Sequence, residues 1–304
     1  MSLTIASVNV NGIRAATKIR NEDNPGMLAW LTETPADVVL MQEVRATVDQ
    51  AHAALAPALE QGWNLEVAPA EAPGAKGRAG VGILSRTPLD DVTFGIPTFE
   101  DAGRFIAATL HDGTRVGSLY LPSGSAGTAK QDEKYRFLDE FEALLERWAD
   151  EYPNMVIGGD WNICHRREDL KNWKTNNKKS GFLPHERAFM DAIFGCFPDD
   201  EPQDAELKAD PVWAGAVEYG AEGRREANGD PKWFDVARRL QPEDASFTWW
   251  TFRGQAFNNN AGWRIDVQAA TANMLERAER TWVDKAPTVE QRWSDHSPLV
   301  VEYR

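Results

Sequence analysis

Four short apolar runs in this chain each end on a cluster of polar residues, and that pattern restricts the fold more than any other feature. Leu3-Thr-Ile-Ala-Ser-Val leads into Asn9-Val-Asn11-Gly-Ile-Arg14, and Asp37-Val-Val-Leu-Met into Gln42-Glu43. Val116-Gly-Ser-Leu leads into Tyr120-Leu-Pro-Ser-Gly124, and Asn154-Met-Val-Ile-Gly into Gly159-Asp160-Trp-Asn162. Runs of this length, rich in Val, Ile and Leu, are strands. Two further polar motifs follow, Trp263-Arg-Ile-Asp266 and Ser294-Asp295-His296-Ser. Strands that end on carboxylates, amides, a tyrosine and a histidine would gather those groups at one edge of a sheet core. Such a set suits metal-assisted hydrolysis of a phosphate ester.

Helical patterns separate the strands. Pro25 to Thr32 and Val48 to Glu60 have helical composition. From Asp132 to Tyr152, Tyr135, Leu138, Phe141, Leu144, Leu145 and Trp148 recur at steps of three and four, which predicts a long amphipathic helix. Pro184 to Phe194 repeats the pattern with Ala188, Phe189, Ala192 and Ile193. Gly80 to Ser85 is a further strand, and the residues from Phe105 to Leu121 form a hairpin about His111-Asp-Gly-Thr. Interleaved strands and helices predict an α/β (α+β) protein with helices covering sheets. No convincing linker appears in residues 1–304 except the stretch 198–231, and one domain is expected. The stretch 198–231 has ten acidic residues against three basic, with many Pro and Gly, and is expected to be an acidic surface insertion.

The net charge is −14, although nucleic-acid binders are commonly basic. Half of the excess falls within 198–231, whereas residues 164–187 hold seven basic residues against three acidic. A local basic patch can hold a phosphate backbone on an acidic protein. No apolar stretch approaches the roughly 18 residues of a membrane span. The N-terminal residues lack the basic and long apolar regions of a secretory signal. Two cysteines, Cys164 and Cys196, make no disulfide framework and lack zinc-ligand spacing. A cytoplasmic protein is therefore expected.

Glu43 and Asp295 are candidate ligands for Mg²⁺, which prefers oxygen and needs only one or two carboxylates beside its waters. Asn11 could complete the set through water, and Mn²⁺ could substitute. Asp160 is the candidate for orienting or deprotonating the attacking water, with Asn162 holding it in place. The glycines before Asp160 would let backbone approach a ligand closely. The Tyr120 hydroxyl can donate to a phosphate oxygen. A glutamate or histidine in such a place is ordinarily just solvated or structural; the chemical reading rests on the whole set. Trp249 and Trp263 flank a loop from Arg253 to Gly262 that is too polar to be buried.

In order and in kind, the six motifs, with Thr248-Trp-Trp and Gly181-Phe-Leu-Pro between them, resemble the exonuclease III branch of the endonuclease/exonuclease/phosphatase family. That branch includes the abasic-site endonucleases of base-excision repair, and the likeness runs from Leu3 to Val301. It implies a four-layered α/β sandwich, two mixed β-sheets packed face to face with helices outside. It implies a Mg²⁺-dependent nuclease that cuts duplex DNA 5′ to abasic sites and trims or dephosphorylates 3′ ends, acting as a monomer away from membranes. His296 would contact the scissile phosphate and pair with Asp266. Trp249, Trp263 and Ile265 would line a pocket for an extrahelical baseless sugar. Asn9 and Arg14 would lie near phosphates; Arg253 would enter the duplex, and Asn260 and its neighbours would touch the backbone. His165, Asp169, Asn172, Asn176 and Gly181-Phe182 fall where abasic endonucleases contact DNA. Ser123 departs from the family pattern, where asparagine is common.

Two other functions fit less well. An inositol-phosphate phosphatase or sphingomyelinase shares the metal and histidine chemistry but has no use for the Trp-Trp loop. A non-catalytic nucleic-acid binder would gain nothing from an acidic cluster that repels DNA.

Overall fold

A computed structural model describes residues 2–72, 77–196, 213–220, 223, 225–243 and 246–304. Its strands are β1 (Leu3–Asn9), β2 (Val38–Gln42), β3 (Asn64–Ala68), β4 (Val81–Ser85), β5 (Asp90–Phe94) and β6 (Phe105–Thr109), followed by β7 (Arg115–Tyr120), β8 (Met155–Asp160), β9 (Trp233–Asp235), β10 (Asp266–Thr271), β11 (Ala278–Val283) and β12 (Leu299–Tyr303). Its helices are α1 (Ile13–Ala16), α2 (Met27–Glu33), α3 (Val48–Glu60), α4 (Ala129–Glu151), α5 (Trp173–Asn176), α6 (Pro184–Phe194), α7 (Val236–Leu240) and α8 (Ala272–Arg277). The strands form two six-stranded sheets, ordered β11-β12-β1-β2-β4-β3 and β5-β6-β7-β8-β10-β9. Each sheet has one parallel pair, β1 with β2 and β7 with β8, amid antiparallel neighbours.

Side-chain alternation sorts the strands into layers. On β1, Ile5 faces the other sheet, where it joins a core with Leu40, Val116, Val156 and Ala270. Ala6 and Val8 turn the other way, into a core with Leu31 of α2 and Leu55 of α3. On β8, Val156 faces the sheet-sheet core, while Met155 and Ile157 meet Phe141 and Leu145 of α4 and Phe189 of α6. The order is therefore helix, sheet, sheet, helix, as the family resemblance implies.

The glycines before Asp160 serve packing. A Cβ on Gly158 would stand 2.7 Å from Leu40 Cδ1 and 3.0 Å from Ser7 Cβ, across the seam between sheets. One on Gly159 would stand 2.1 Å from the Leu119 carbonyl of its own sheet. Close approach is required there, but by the opposing sheet and the adjacent strand, not by a ligand.

Within the acidic stretch, residues 198–212, 221, 222 and 224 lie outside the described residues. The described part from Trp213 is anchored to the body of the protein. Trp213 is buried, edge-on to Tyr135 at 4.9 Å and stacked on His185 at 4.4 Å. Asp132 of α4 accepts the backbone N–H groups of Val217, Glu218 and Tyr219, the first at 2.9 Å. Arg225 pairs with Glu142 at 2.6 Å and with Asp139. The segment thus closes the outer face of α4 and α6. Trp213→Ala should cost about 3–5 kcal/mol of stability, the usual loss for a large buried aromatic. Urea unfolding checks this, and a loss below about 1 kcal/mol would return the segment to a surface excursion.

Candidate active site

The ends of β8 and β10 place two carboxylates side by side. Asp160 and Asp266 are partners in the antiparallel register, so their side chains leave the sheet together. Both are buried. His296, from the loop before β12, lies between them. Its Nδ1 is 2.8 Å from Asp266 Oδ2 and its Nε2 is 3.8 Å from Asp160 Oδ2. Burial alone would depress the imidazole pKa, but the charges of Asp266 and Asp160 outweigh it and push it well up, so the ring is held as a cation. Burial raises Asp160 above the ordinary carboxylate range, against the pull of His296 and with help from Asp266. Asp160 is therefore a stronger base than an exposed aspartate.

Asn9, at the end of β1, joins this group to the first sheet. Its Nδ2 lies 2.9 Å from both Glu43 Oε1 and Asp160 Oδ2. The Tyr120 hydroxyl donates to the same Glu43 oxygen at 2.7 Å. Burial, then the charge of Glu43, keeps that phenol protonated. Asn162 donates its backbone N–H to Asp160 Oδ1 at 3.0 Å, while its side chain donates to the Leu121 carbonyl at 2.8 Å. Asn11, Glu43 and Asn162 all have positive φ, at 49°, 50° and 52°. Left-handed backbone is costly for such residues and concentrates at functional sites.

Among the described residues, side chains that could hold a cation gather here. One ligand atom from each of Asp160, Asp266 and His296 falls within 4.8 Å of the others. Glu43 joins this trio through the Asn9 amide. The Glu43 side chain is only 12% exposed, and its second oxygen meets the Arg45 guanidinium. Asp295 supplies a further carboxylate, with Asn11 Nδ2 on Oδ1 at 2.8 Å and Trp249 Nε1 on Oδ2 at 3.0 Å. Carboxylate and amide oxygens are ligands that suit a hard cation.

Trp249, Trp263 and Ile265 come together as the motifs imply. The two indoles meet edge to face at 5.9 Å, and Trp249 lies 6.4 Å from the His296 ring. Cys164, Leu170, Phe182 and Ile265 form the buried base of this group. Arg264, between Trp263 and Ile265, points the other way and is buried against Asp169 at 2.8 Å and Asp235 at 2.6 Å. Arg238 also pairs with Asp169. Sequence reading missed this network because its members are up to 95 residues apart.

Several expected DNA contacts lie elsewhere. His165 is buried on Asp191 at 2.7 Å, so it is not a surface contact. Asn176 is nearly buried and donates to the Asn172 carbonyl at 2.8 Å, and it too is structural. Asp169 is committed to arginines. Asn9 is buried and acts as a bridge between carboxylates. Arg14, Asn172, Arg253 and Asn260 are exposed, as a phosphate contact requires. Arg14 and Arg45 line a cavity of about 560 Å³ beside the α3 N-terminus.

Residues 6–296 match the family described as Endonuclease/Exonuclease/phosphatase family. The chain is 28% identical over 303 residues to an exodeoxyribonuclease of Bacillus subtilis, covering 98% of each. It is 27% identical over 278 residues to the DNA repair nuclease APEX1 of Danio rerio, covering 90% of this chain and 74% of that one. Its fold is similar to a 3′ phosphatase from Neisseria bound to product DNA hairpin, with TM-score 0.74, 25% identity and 99% of each chain covered. The chain belongs to the endonuclease/exonuclease/phosphatase family, and it is an enzyme. Among the described residues no helix is long and apolar enough to cross a membrane.

The buried arginine network gives a prediction on pH. Burial would raise the Asp169 carboxyl, but Arg264 and then Arg238 outweigh it and hold it at about 2. A depressed folded pKa contributes stability that is present above the unfolded value of about 3.9 and lost as pH falls through the folded one. Asp169→Asn should cost about 3–5 kcal/mol at neutral pH, as for a broken buried pair. The gap to the parent should narrow by about 2–3 kcal/mol between about pH 4 and pH 2. Denaturant unfolding at several pH values tests this; a gap constant with pH would mean that the charge of Asp169 contributes nothing.

Proposed function

We propose that this protein is a Mg²⁺-dependent DNA repair nuclease, monomeric and cytoplasmic. It hydrolyses the phosphodiester 5′ to abasic sites in duplex DNA and also removes nucleotides or phosphate from 3′ ends. The observation that carries this reading is the apolar group of Trp249, Trp263 and Ile265 directly beside His296. A small apolar slot next to a phosphate-binding cation suits a sugar that has lost its base. An inositol phosphate, polar on every side, would find no use for it. The exposed lysines Lys171, Lys174, Lys178 and Lys179 and the exposed Arg253 suit backbone phosphates of any sequence.

Asp160 orients the attacking water and takes its proton at the carboxylate, while the Asn9 amide and the Asn162 N–H fix that carboxylate. The His296 cation donates to a phosphoryl oxygen, held in one tautomer by Asp266. Tyr120, kept protonated, is a second donor. Glu43 and Asp295 would hold the metal, with Asn11 assisting. When bound, Mg²⁺ supplies charge stabilisation at the phosphoryl and leaving oxygens.

Excess EDTA should abolish cleavage of end-labelled abasic, 3′-phosphate and recessed 3′-hydroxyl duplexes, and Mg²⁺ should restore it. Cleavage that persists in chelator sinks the metal assignment. Trp263→Ala should slow abasic cleavage by about 10-fold or more, within the range of an apolar pocket contact, and slow 3′-phosphate release much less. Equal losses on the two substrates would make Trp263 a packing residue only.

A further inference from the structure

Lys134 of α4 and Glu186 of α6 are fully buried and form an ion pair at 2.6 Å. Breaking a buried ion pair is costly, yet replacing one with apolar residues is often neutral or stabilising. Its presence here calls for a reason other than stability.

Three segments of the site converge on the pair. Lys134 Nζ donates to the Asn162 carbonyl at 3.0 Å and approaches that of Ser123 at 3.4 Å. Glu186 Oε2 accepts the N–H groups of Gly181 at 2.7 Å and Leu183 at 2.9 Å. Its Oε1 accepts from Gln131 Nε2 at 3.0 Å and lies 3.1 Å from Ser180 Oγ. A lysine offers three donors and a glutamate several acceptor sites, so one ionised pair can serve groups that two neutral side chains could not. The segments also touch one another. Gly181 has φ +94°, and a Cβ there would stand 3.0 Å from the Trp263 ring and 3.4 Å from the Asn162 carbonyl. The Gly181 carbonyl accepts the Cys164 N–H at 2.8 Å. In the loop after Tyr120, a Cβ on Gly124 would stand 2.9 Å from Lys134 Cδ.

We propose that the Lys134–Glu186 pair is a positioning device, setting the loop of Asp160 and Asn162 against the Gly181 turn and the Trp263 wall. Neither residue is catalytic. The effect on turnover rests on the nuclease function proposed above; the effect on loop order does not.

The decisive variant is Lys134→Met/Glu186→Gln, which removes both charges and leaves no lone buried ion. Its fold is followed by circular dichroism and thermal melting. Hydrogen exchange is read in peptides containing Asn162 and Gly181, with Met155–Gly159 as an internal control. Single-turnover cleavage and binding of an abasic duplex are measured with Mg²⁺. A folded variant should exchange about 10-fold faster or more at Asn162 and Gly181 than the parent, with the control strand unchanged. Its cleavage rate should fall by about 10- to 100-fold, the scale for a misplacement near 1 Å, while affinity changes by under about 3-fold. A folded variant with parental rate and exchange overturns the proposal, as does acceleration spread evenly over the chain. If the double variant fails to fold, Glu186→Gln is judged by the same measures, and insolubility of both assigns the pair to folding alone. Should the parent cleave none of the DNA substrates, the nuclease reading fails, and exchange at Asn162 and Gly181 still decides the positioning role.

Discussion

A charged imidazole held between two buried carboxylates is the interaction on which this molecule depends. Asp160 and Asp266 are neighbours by strand register, and without a cation between them two like charges would face each other out of water. His296 supplies that cation from a loop in the other half of the sandwich. The loop is fixed in turn by Ser294, whose hydroxyl donates to the Asn9 carbonyl at 2.6 Å. Asn9 belongs to the first sheet and reaches Asp160 of the second. The catalytic centre and the seam between the sheets are therefore one set of contacts, so the chemistry constrains how the layers pack.

A second buried charge organises the substrate side. Arg264 ties the loop at Asp169 and the N-cap of α7 at Asp235 to the segment before β10 that carries Trp263 and Ile265. Its backbone N–H also donates to the Asp169 carbonyl at 2.7 Å. The aromatic pair thus stands on a segment anchored from behind, immediately before β10. This is the kind of support that a site needs when its geometry must hold to a fraction of an ångström.

Much of this was legible in the chain alone. Polar residues ending apolar runs marked the site, because a strand end is where a sheet can present charge without burying it unpaired. The helices α3, α4 and α6 were legible because a long amphipathic face repeats many times. The edge strands β5 and β11 were not. Asp90–Phe94 and Ala278–Val283 are largely polar and partly exposed, so they lack the apolar run that announces a strand. Polarity also misled at His165, Asp169 and Asn176. A polar side chain in a basic stretch looks like a surface contact until its partner is known, and Asp191 and Arg264 are remote in sequence. In the acidic stretch, composition pointed outward while Trp213 and Tyr219 pointed inward, and the aromatics prevailed because their burial outweighs the solvation of neighbouring charges.

The alternation of Trp263, Arg264, Ile265 and Asp266 has a consequence for how such an enzyme can change over time. Trp263 and Ile265 face the apolar group beside the histidine; Arg264 and Asp266 face the anchor and the histidine. Selectivity and reactivity are thus written in one reading frame of period two. A gain or loss of one residue here would exchange the two sets, sending guanidinium and carboxylate into the slot and indole into the ion network. Change in this family can therefore proceed by replacing side chains at these positions, while changes of length are confined to exposed turns such as Arg253 to Gln255, where no frame has to be kept.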